Sequence, residues 1–125
     1  MDEAFHGVVT DGDEAFWAAL ERLVGESEVV IDRPRGSAHP RYPNIIYGAD
    51  YGYLRNTASM DGGGIDVWRG SGEGKRISGV IVTVDLVKRD SEIKILIDCT
   101  EEEIAEIVRF HNGSEYMKGL LVRRR

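Results

Sequence analysis

The chain is poor in cysteine and has no long apolar run, and both absences narrow its class. It carries a single cysteine, Cys99, among 125 residues, so no disulfide can form within the chain, as is usual in a reducing compartment. Cys99 has no Cys or His at metal-ligand spacing, which favours a structural role. No apolar run approaches the ~20 residues of a membrane-spanning helix, and the N-terminal MDEAFHGVV is acidic where a signal peptide would be basic. We therefore expect a cytoplasmic protein without a membrane partner.

Basic residues are outnumbered by acidic ones. The chain has 16 Lys and Arg residues against 22 Asp and Glu residues, for a net charge of −6. A general nucleic-acid-binding domain normally presents a basic face, so the charge balance predicts no nucleic-acid partner. The one basic cluster, the tail VRRR, is typical of a solvated terminus. An acidic protein can still bind anionic substrates if divalent cations lie between them.

Length and patterning predict one domain, residues 1–125, that is mainly β with two helices. The first helix, EAFWAALERLV, would be capped by Asp11 or Asp13 and end at Gly25. The second would start at a capping box formed by Thr100 and Glu103. The predicted β segments are EVVIDR, strands within 45–67, a hairpin of SGVIVTVDLV and EIKILID, and a final YMKGLLV. They predict a small, mostly antiparallel sheet or barrel.

The segment DGGGID, residues 61–66, places Asp61 and Asp66 on a glycine-rich stretch. Asp and Gly are common in turns, so a surface loop is one interpretation. A metal or phosphate site is the other, because glycine lets the backbone approach a ligand closely. The segment alone leaves both open.

The wider stretch YGYLRNTASMDGGGIDV, residues 51–67, resembles the signature of the family I soluble inorganic pyrophosphatases. In that family YGY(I/F)-x-x-T leads into D-G-D-P-x-D-V. Flanking segments resemble further family motifs in the same order: VVIDRPRGSAHPRY resembles I-E-I-P-x-x-S with its following basic residue and tyrosine, SGVIVTVD resembles G-V-(L/I)-x-x-x-D, and EIK resembles D-x-K. The resemblance covers roughly residues 28–120.

The resemblance implies an OB-like five-stranded β-barrel with two peripheral helices. It also implies hydrolysis of a phosphoanhydride, most simply pyrophosphate to orthophosphate, with Mg²⁺ or Mn²⁺ as cofactor. Family members commonly form symmetric oligomers, so a homo-oligomer is expected.

The resemblance also assigns residues to roles. Asp61 and Asp66 become the catalytic pair and metal ligands, joined as metal ligands by Asp85 and Glu92. Arg41, Tyr51 and Lys94 become phosphate-binding residues, and Asp32 falls at an active-site acid. The chemistry is consistent, because Mg²⁺ prefers carboxylate oxygens and water, and Arg and Lys bind phosphate oxygens.

The sequence departs from the family in its central motif. Gly63 stands where the family has a third aspartate that activates the attacking water, and Gly64 replaces a proline. Glu92 replaces an aspartate. General-base catalysis typically contributes ~10²–10⁴-fold, so metal activation would have to supply part of the loss. His39 would be a replacement base, although a solvated loop histidine is the more usual case; His6 and His111 have no suitable spacing.

A second departure lies between Arg41 and Tyr51, where the family carries a hairpin with a phosphate-binding arginine. Arg55 is a candidate substitute. The family's terminal tyrosine and lysine fall directly at Asn112 and Gly113, with Tyr116 and Lys118 slightly later.

These departures leave three functions open. The first is the hydrolase. The second is a catalytically degenerate relative that binds metal together with phosphate or a nucleotide. The third is a barrel-type binding module without metal; it is disfavoured, because such barrels bind single strands on positive grooves, whereas here the aromatic run adjoins aspartates.

Overall fold

The computed structural model describes residues 7–9 and 13–124, and for 7–9 the backbone only. His6 and the possible helix cap Asp11, both considered in the sequence analysis, therefore lie outside the described residues. In chain order the elements are β1 (Gly7–Val9), α1 (Glu14–Gly25), β2 (Val29–Arg33), β3 (Asp50–Leu54), β4 (Asp66–Arg69), β5 (Ile77–Asp85), β6 (Asp90–Ile97), α2 (Glu101–Asn112) and β7 (Met117–Arg123).

The described strands form one sheet in the order β1-β7-β5-β6-β4-β3-β2. Most neighbours are antiparallel, whereas β1 pairs with β7 and β4 with β6 in parallel. The expected mainly β, α+β class is confirmed. The five-stranded barrel is not confirmed, because β1 and β2 are the two edges of this sheet and the pairings among the described residues leave it open.

Alternating side chains give the sheet two apolar faces. On β6, Ile95 and Ile97 belong to a cluster with Trp17 and Val24 of α1. Leu96 points to the other face and packs in a second cluster beneath α2. The period of two in a strand thus buries both faces of β6 under different helices. Lys94 lies on the same face as Leu96, one step further along the strand.

The helices begin and end close to the predicted positions. Thr100 and Glu103 form the expected capping box, with the Thr100 hydroxyl accepting the Glu103 N–H at 3.1 Å. Asp13 stands at the N-cap of α1 but makes no side-chain capping bond. Neither helix within the described residues is long and apolar enough to cross a membrane.

The proline-rich segment after β2 folds back on itself. A bridge joins Ala38 to Ile46, and the Tyr47 N–H donates to the Ser37 carbonyl at 3.0 Å. We call residues 34–49 the proline loop. Its return buries Tyr47 at 3% exposure and carries His39, Arg41 and Tyr42 beside the sheet.

Candidate functional site

Lys94 is the centre of a polar cluster. The cluster lies on the sheet face that carries Leu96, which packs under α2. Its ammonium donates to the Tyr51 hydroxyl at 2.9 Å, to Asp66 Oδ2 at 2.9 Å and to Glu92 Oε1 at 3.1 Å. These residues come from β3, β4 and β6. An ammonium has three donors, so its hydrogen-bonding capacity is used in full. Four of the residues that the sequence assigned to one site are therefore in contact.

The strand pairings explain this meeting. In the parallel pair, Val67 lies opposite Ile95 and Trp68 opposite Leu96, so Asp66 falls beside Lys94. In the antiparallel pair, Tyr51 lies opposite Trp68. Trp68 and Leu96 are buried under α2. Asp66 and Lys94 lie on the same face, two residues earlier on β4 and β6.

Burial and charge act against each other in the cluster. The Lys94 side chain is 7% exposed, and burial by itself would lower its pKa. The contacts with Tyr51 and Asp66 outweigh burial, so the pKa of Lys94 is raised. Burial also raises the pKa of Tyr51 despite the nearby ammonium. At neutral pH the cluster therefore has a charged lysine and a neutral phenol beside two carboxylates, so an anion would bind to the ammonium only by replacing one of its acceptors.

The DGGGID segment is a tight loop that holds Asp61. The Asp61 Oδ1 accepts the Ser59 hydroxyl at 2.6 Å and the Gly63 N–H at 2.9 Å. These two bonds, with a smaller contribution from the nearby Glu92 carboxyl, lower the pKa of Asp61 to about 2. Gly62 has a φ of 86°, which a residue with a side chain rarely adopts. The loop thus holds a carboxylate that is ionised at neutral pH close to Glu92.

Asp85 lies at the tip of the β5–β6 hairpin rather than on Lys94. It pairs in register with Asp90 and shares the sheet face of Glu92 and Lys94. Its Oδ1 accepts the backbone N–H groups of Val87 and Lys88 at 2.9 and 3.0 Å, which closes the turn. Of the four predicted metal ligands, Asp85 and Asp61 each accept hydrogen bonds from residues of their own turn.

The donor set suits a hard cation, but the ligands are not arranged as a closed cage. Within residues 7–9 and 13–124, no three His, Cys, Asp or Glu side chains lie close enough together to hold a metal ion. Carboxylates are the oxygen ligands that Mg²⁺ uses, usually one or two of them with waters and substrate phosphates. The contact between Asp61 and Glu92 brings two such carboxylates together, and these two fit an open site of that kind.

Arg41 is exposed in the proline loop, and its backbone N–H donates to His39 Nδ1 at 3.0 Å. It does not contact Lys94 directly. The pKa of His39 is lowered by partial burial and by the positive charges of Arg33, Arg41 and Lys88. The predicted phosphate-binding Arg41 thus belongs to a cationic group around His39.

Arg33 is a residue that the sequence analysis missed. Its guanidinium donates to the Tyr47 hydroxyl and lies 5.5 Å from the Tyr47 ring centre and 5.9 Å from that of Tyr51. The neighbouring Asp32, expected at the site, is exposed. A register shift between Ile31 and Arg33 places Arg33 opposite Tyr51. The basic residue after the strand's acid was the only signal in the sequence.

Other candidates lie elsewhere. Arg55 forms an exposed salt bridge of 3.0 Å with Glu28. Lys118 donates to the Ser114 carbonyl at 2.9 Å, and Tyr116 is 54% exposed. His111 is buried and its Nε2 accepts the Trp68 indole N–H at 2.9 Å. Each therefore has a structural or surface setting outside the Lys94 cluster.

Cys99 has the structural role that the sequence favoured. Its side chain is 8% exposed within the α2-side cluster, and burial raises the pKa of its thiol to about 12. A thiol that stays protonated is a poor nucleophile and metal ligand.

Comparison with known proteins adds no family assignment. A scan against protein-family models gives no match to the chain, and a search of curated proteins gives none either.

Proposed function

We propose that the protein is a magnesium-dependent phosphoanhydride hydrolase, with pyrophosphate as the simplest substrate. The observation that carries the proposal is the Lys94 cluster, in which the ammonium contacts Tyr51, Asp66 and Glu92. The resemblance to family I pyrophosphatases assigns all four residues to one site from motifs far apart in the chain. A kinship of the open sheet with the OB-like pyrophosphatase barrel is part of the same proposal.

The cations of the site would bind the substrate. Lys94 is held in place by three acceptors, and a phosphate oxygen would replace one of its carboxylate partners. Arg33 and Arg41 would contact the other phosphate, since a guanidinium matches phosphate geometry with paired N–H donors. Tyr51, neutral at working pH, would orient a phosphate oxygen through its hydroxyl.

The acidic residues would hold Mg²⁺. Asp61 and Glu92 are adjacent, Asp66 lies on the other side of the ammonium, and Asp85 shares their sheet face. When bound, Mg²⁺ or Mn²⁺ would neutralise phosphate charge and acidify the attacking water. Asp61 and Asp66 would keep their catalytic roles by orienting that water.

Gly63 sets the expected speed of this reaction. It offers no side chain to accept a proton, and its N–H is used to hold Asp61. General-base catalysis is worth ~10²–10⁴-fold, so we expect slow turnover with water activated mainly by metal.

The test is phosphate release from pyrophosphate over a range of Mg²⁺ and Mn²⁺ concentrations. Asp61→Asn should abolish release, because the amide cannot supply the anionic ligand. Glu26→Gln, which removes an exposed carboxylate paired with Arg22 at the C-terminal end of α1, is the matched control and should behave as wild type. Unchanged turnover in Asp61→Asn would refute the site assignment.

The absence of a side chain at Gly63 also favours a second candidate, a degenerate relative that binds metal with phosphate or nucleotide without turnover. It predicts Mg²⁺-dependent binding of pyrophosphate by calorimetry and no phosphate release. Any measurable release that Asp61→Asn removes would eliminate it.

A further inference from the structure

A row of four rings leads from the Lys94 cluster to the protein surface. Tyr51 and Tyr47 have ring centres 5.4 Å apart, Tyr47 and His39 are stacked at 6.2 Å with planes 11° apart, and His39 lies 5.1 Å from Tyr42. Tyr51 at the inner end is partly buried and Tyr47 beside it is 3% exposed, whereas Tyr42 at the outer end is 48% exposed. We call these residues the aromatic row.

Positive charge accompanies the row. Arg33 lies against the rings of Tyr47 and Tyr51, and Arg41 precedes Tyr42 in the chain. Lys88, at the hairpin tip, is near enough to both His39 and Asp61 to affect them electrostatically. Among the side chains that the structure describes, Arg33 and Arg41 form no salt bridge, and Lys88 has a partly exposed one with Asp90 at 3.5 Å. In a chain of net charge −6, three cations thus act on His39.

The aromatic row and the cations beside it together favour a ligand that has an aromatic part and an anionic part. A bare pyrophosphate would use the cations and the carboxylate cluster, but not the half-buried ring of His39 or the exposed ring of Tyr42. A planar aromatic base attached to a phosphate chain would use both. Base-on-ring stacking is worth ~1–3 kcal/mol per base and tolerates different bases, since every base has a π-face.

We propose that the aromatic row is a base-stacking subsite, so that the site accepts nucleoside di- or triphosphates in preference to free pyrophosphate. The terminal phosphates would lie at Lys94 and Arg33, and the base would lie on the exposed ring of Tyr42. This inference rests on the proposed function for its phosphate end and extends it by naming the substrate class. Partial burial and the nearby cations lower the pKa of His39, and its ring is already stacked on Tyr47.

The test compares ADP with pyrophosphate, by calorimetric binding and by phosphate release, in the full chain with Mg²⁺. The variant is Tyr42→Ala, with Tyr42→Phe to restore the ring. Tyr116→Ala, which removes another exposed tyrosine outside the row, is the matched control. We expect ADP to bind more tightly than pyrophosphate. Tyr42→Ala should cut the affinity for ADP about tenfold more than the affinity for pyrophosphate, as a stacking loss of ~1.4 kcal/mol implies, and Tyr42→Phe should restore it.

Other outcomes overturn the inference in distinguishable ways. Equal binding of ADP and pyrophosphate, with equal effects of Tyr42→Ala on both, would overturn the stacking subsite and leave the pyrophosphatase proposal standing. Equal losses in Tyr42→Ala and Tyr116→Ala would also overturn it, because the effect would then not belong to the row. Binding of neither ligand would overturn the subsite and the phosphate site together.

Discussion

The ammonium of Lys94 lies 2.9 Å from the carboxylate of Asp66, and the two residues sit side by side on parallel strands β6 and β4. A buried cation among carboxylates has two roles open to it. It can stabilise the sheet through its salt bridges, or it can bind a phosphate that replaces its carboxylate partners. The two roles differ in how removal of the charge affects stability and ligand binding.

Replacing Lys94 by Met should destabilise the protein strongly at pH 7. The Glu92 side chain is 10% exposed, so removing the ammonium leaves an uncompensated buried charge, which typically costs about 3 kcal/mol of the free energy of unfolding. The loss should shrink at acidic pH, where the unpaired carboxylates can protonate. Urea unfolding of the wild type and of the variant, at pH 7 and at an acidic pH, measures this loss of unfolding free energy.

Lys88→Met is the matched control for that variant. Its salt bridge with Asp90 is 61% exposed on the lysine side, so its removal should change stability by less than about 1 kcal/mol. Comparable losses in the two lysine variants would contradict the central role of Lys94.

Gly63→Asp should raise the rate of phosphate release about 100-fold, the lower end of what a general base contributes. A Cβ at Gly63 would meet only Asp61 Oδ1, at 3.4 Å, which is ordinary contact. The backbone at this position therefore tolerates a side chain, unlike that of Gly62. Gly63→Asn is the control of equal size, and steady-state release of phosphate is the measurement. Equal rates in the Asp and Asn variants would show that a proton acceptor at this position is not limiting.

The parts of the fold that the sequence predicted are those with local signals. The capping box of Thr100 and Glu103 and the β5–β6 hairpin each depend on residues close in the chain. The parallel pairings of β1 with β7 and of β4 with β6 join distant segments. Parallel strands need long crossovers and leave no turn signature, so these two pairings were not predicted, although most pairings of the open sheet are antiparallel as expected.

The site divides in the same way. Tyr51, Asp66, Glu92 and Lys94 were predicted because they stand at motif spacing, and strand register brings them together. Arg33 was missed in favour of Asp32. A register shift at this point of β2 changes which side chains face the site. Such a shift cannot be predicted from the alternation of residues in the sequence.

Arg33 rather than Arg55 should bind phosphate. Arg33→Met should raise KM for the phosphoanhydride at least about tenfold, because a hydrogen bond to a charged group is worth ~1.5–3 kcal/mol. Arg55 is paired with Glu28 in an exposed salt bridge away from the cluster. Arg55→Met is therefore the control and should leave KM unchanged. A larger effect in Arg55→Met would reverse the assignment and place the substrate at the C-terminal end of β3.

His111 should make the folded state sensitive to mild acid. Burial, with a smaller contribution from Lys94, lowers the pKa of His111 to about 3 from 6.5. The unfolded chain therefore binds a proton on this residue between about pH 6.5 and 3 that the folded chain does not. The contribution of His111 to the free energy of unfolding is therefore fully present above pH 6.5. It is lost as the pH drops through this window, by up to about 1.4 kcal/mol per pH unit. His111→Gln keeps an acceptor for the Trp68 N–H and cannot titrate, so its unfolding free energy between pH 6.5 and 4.5 should lack that slope. Parallel curves for the two proteins would show that the imidazole protonates as easily in the folded state, contrary to its burial against Trp68.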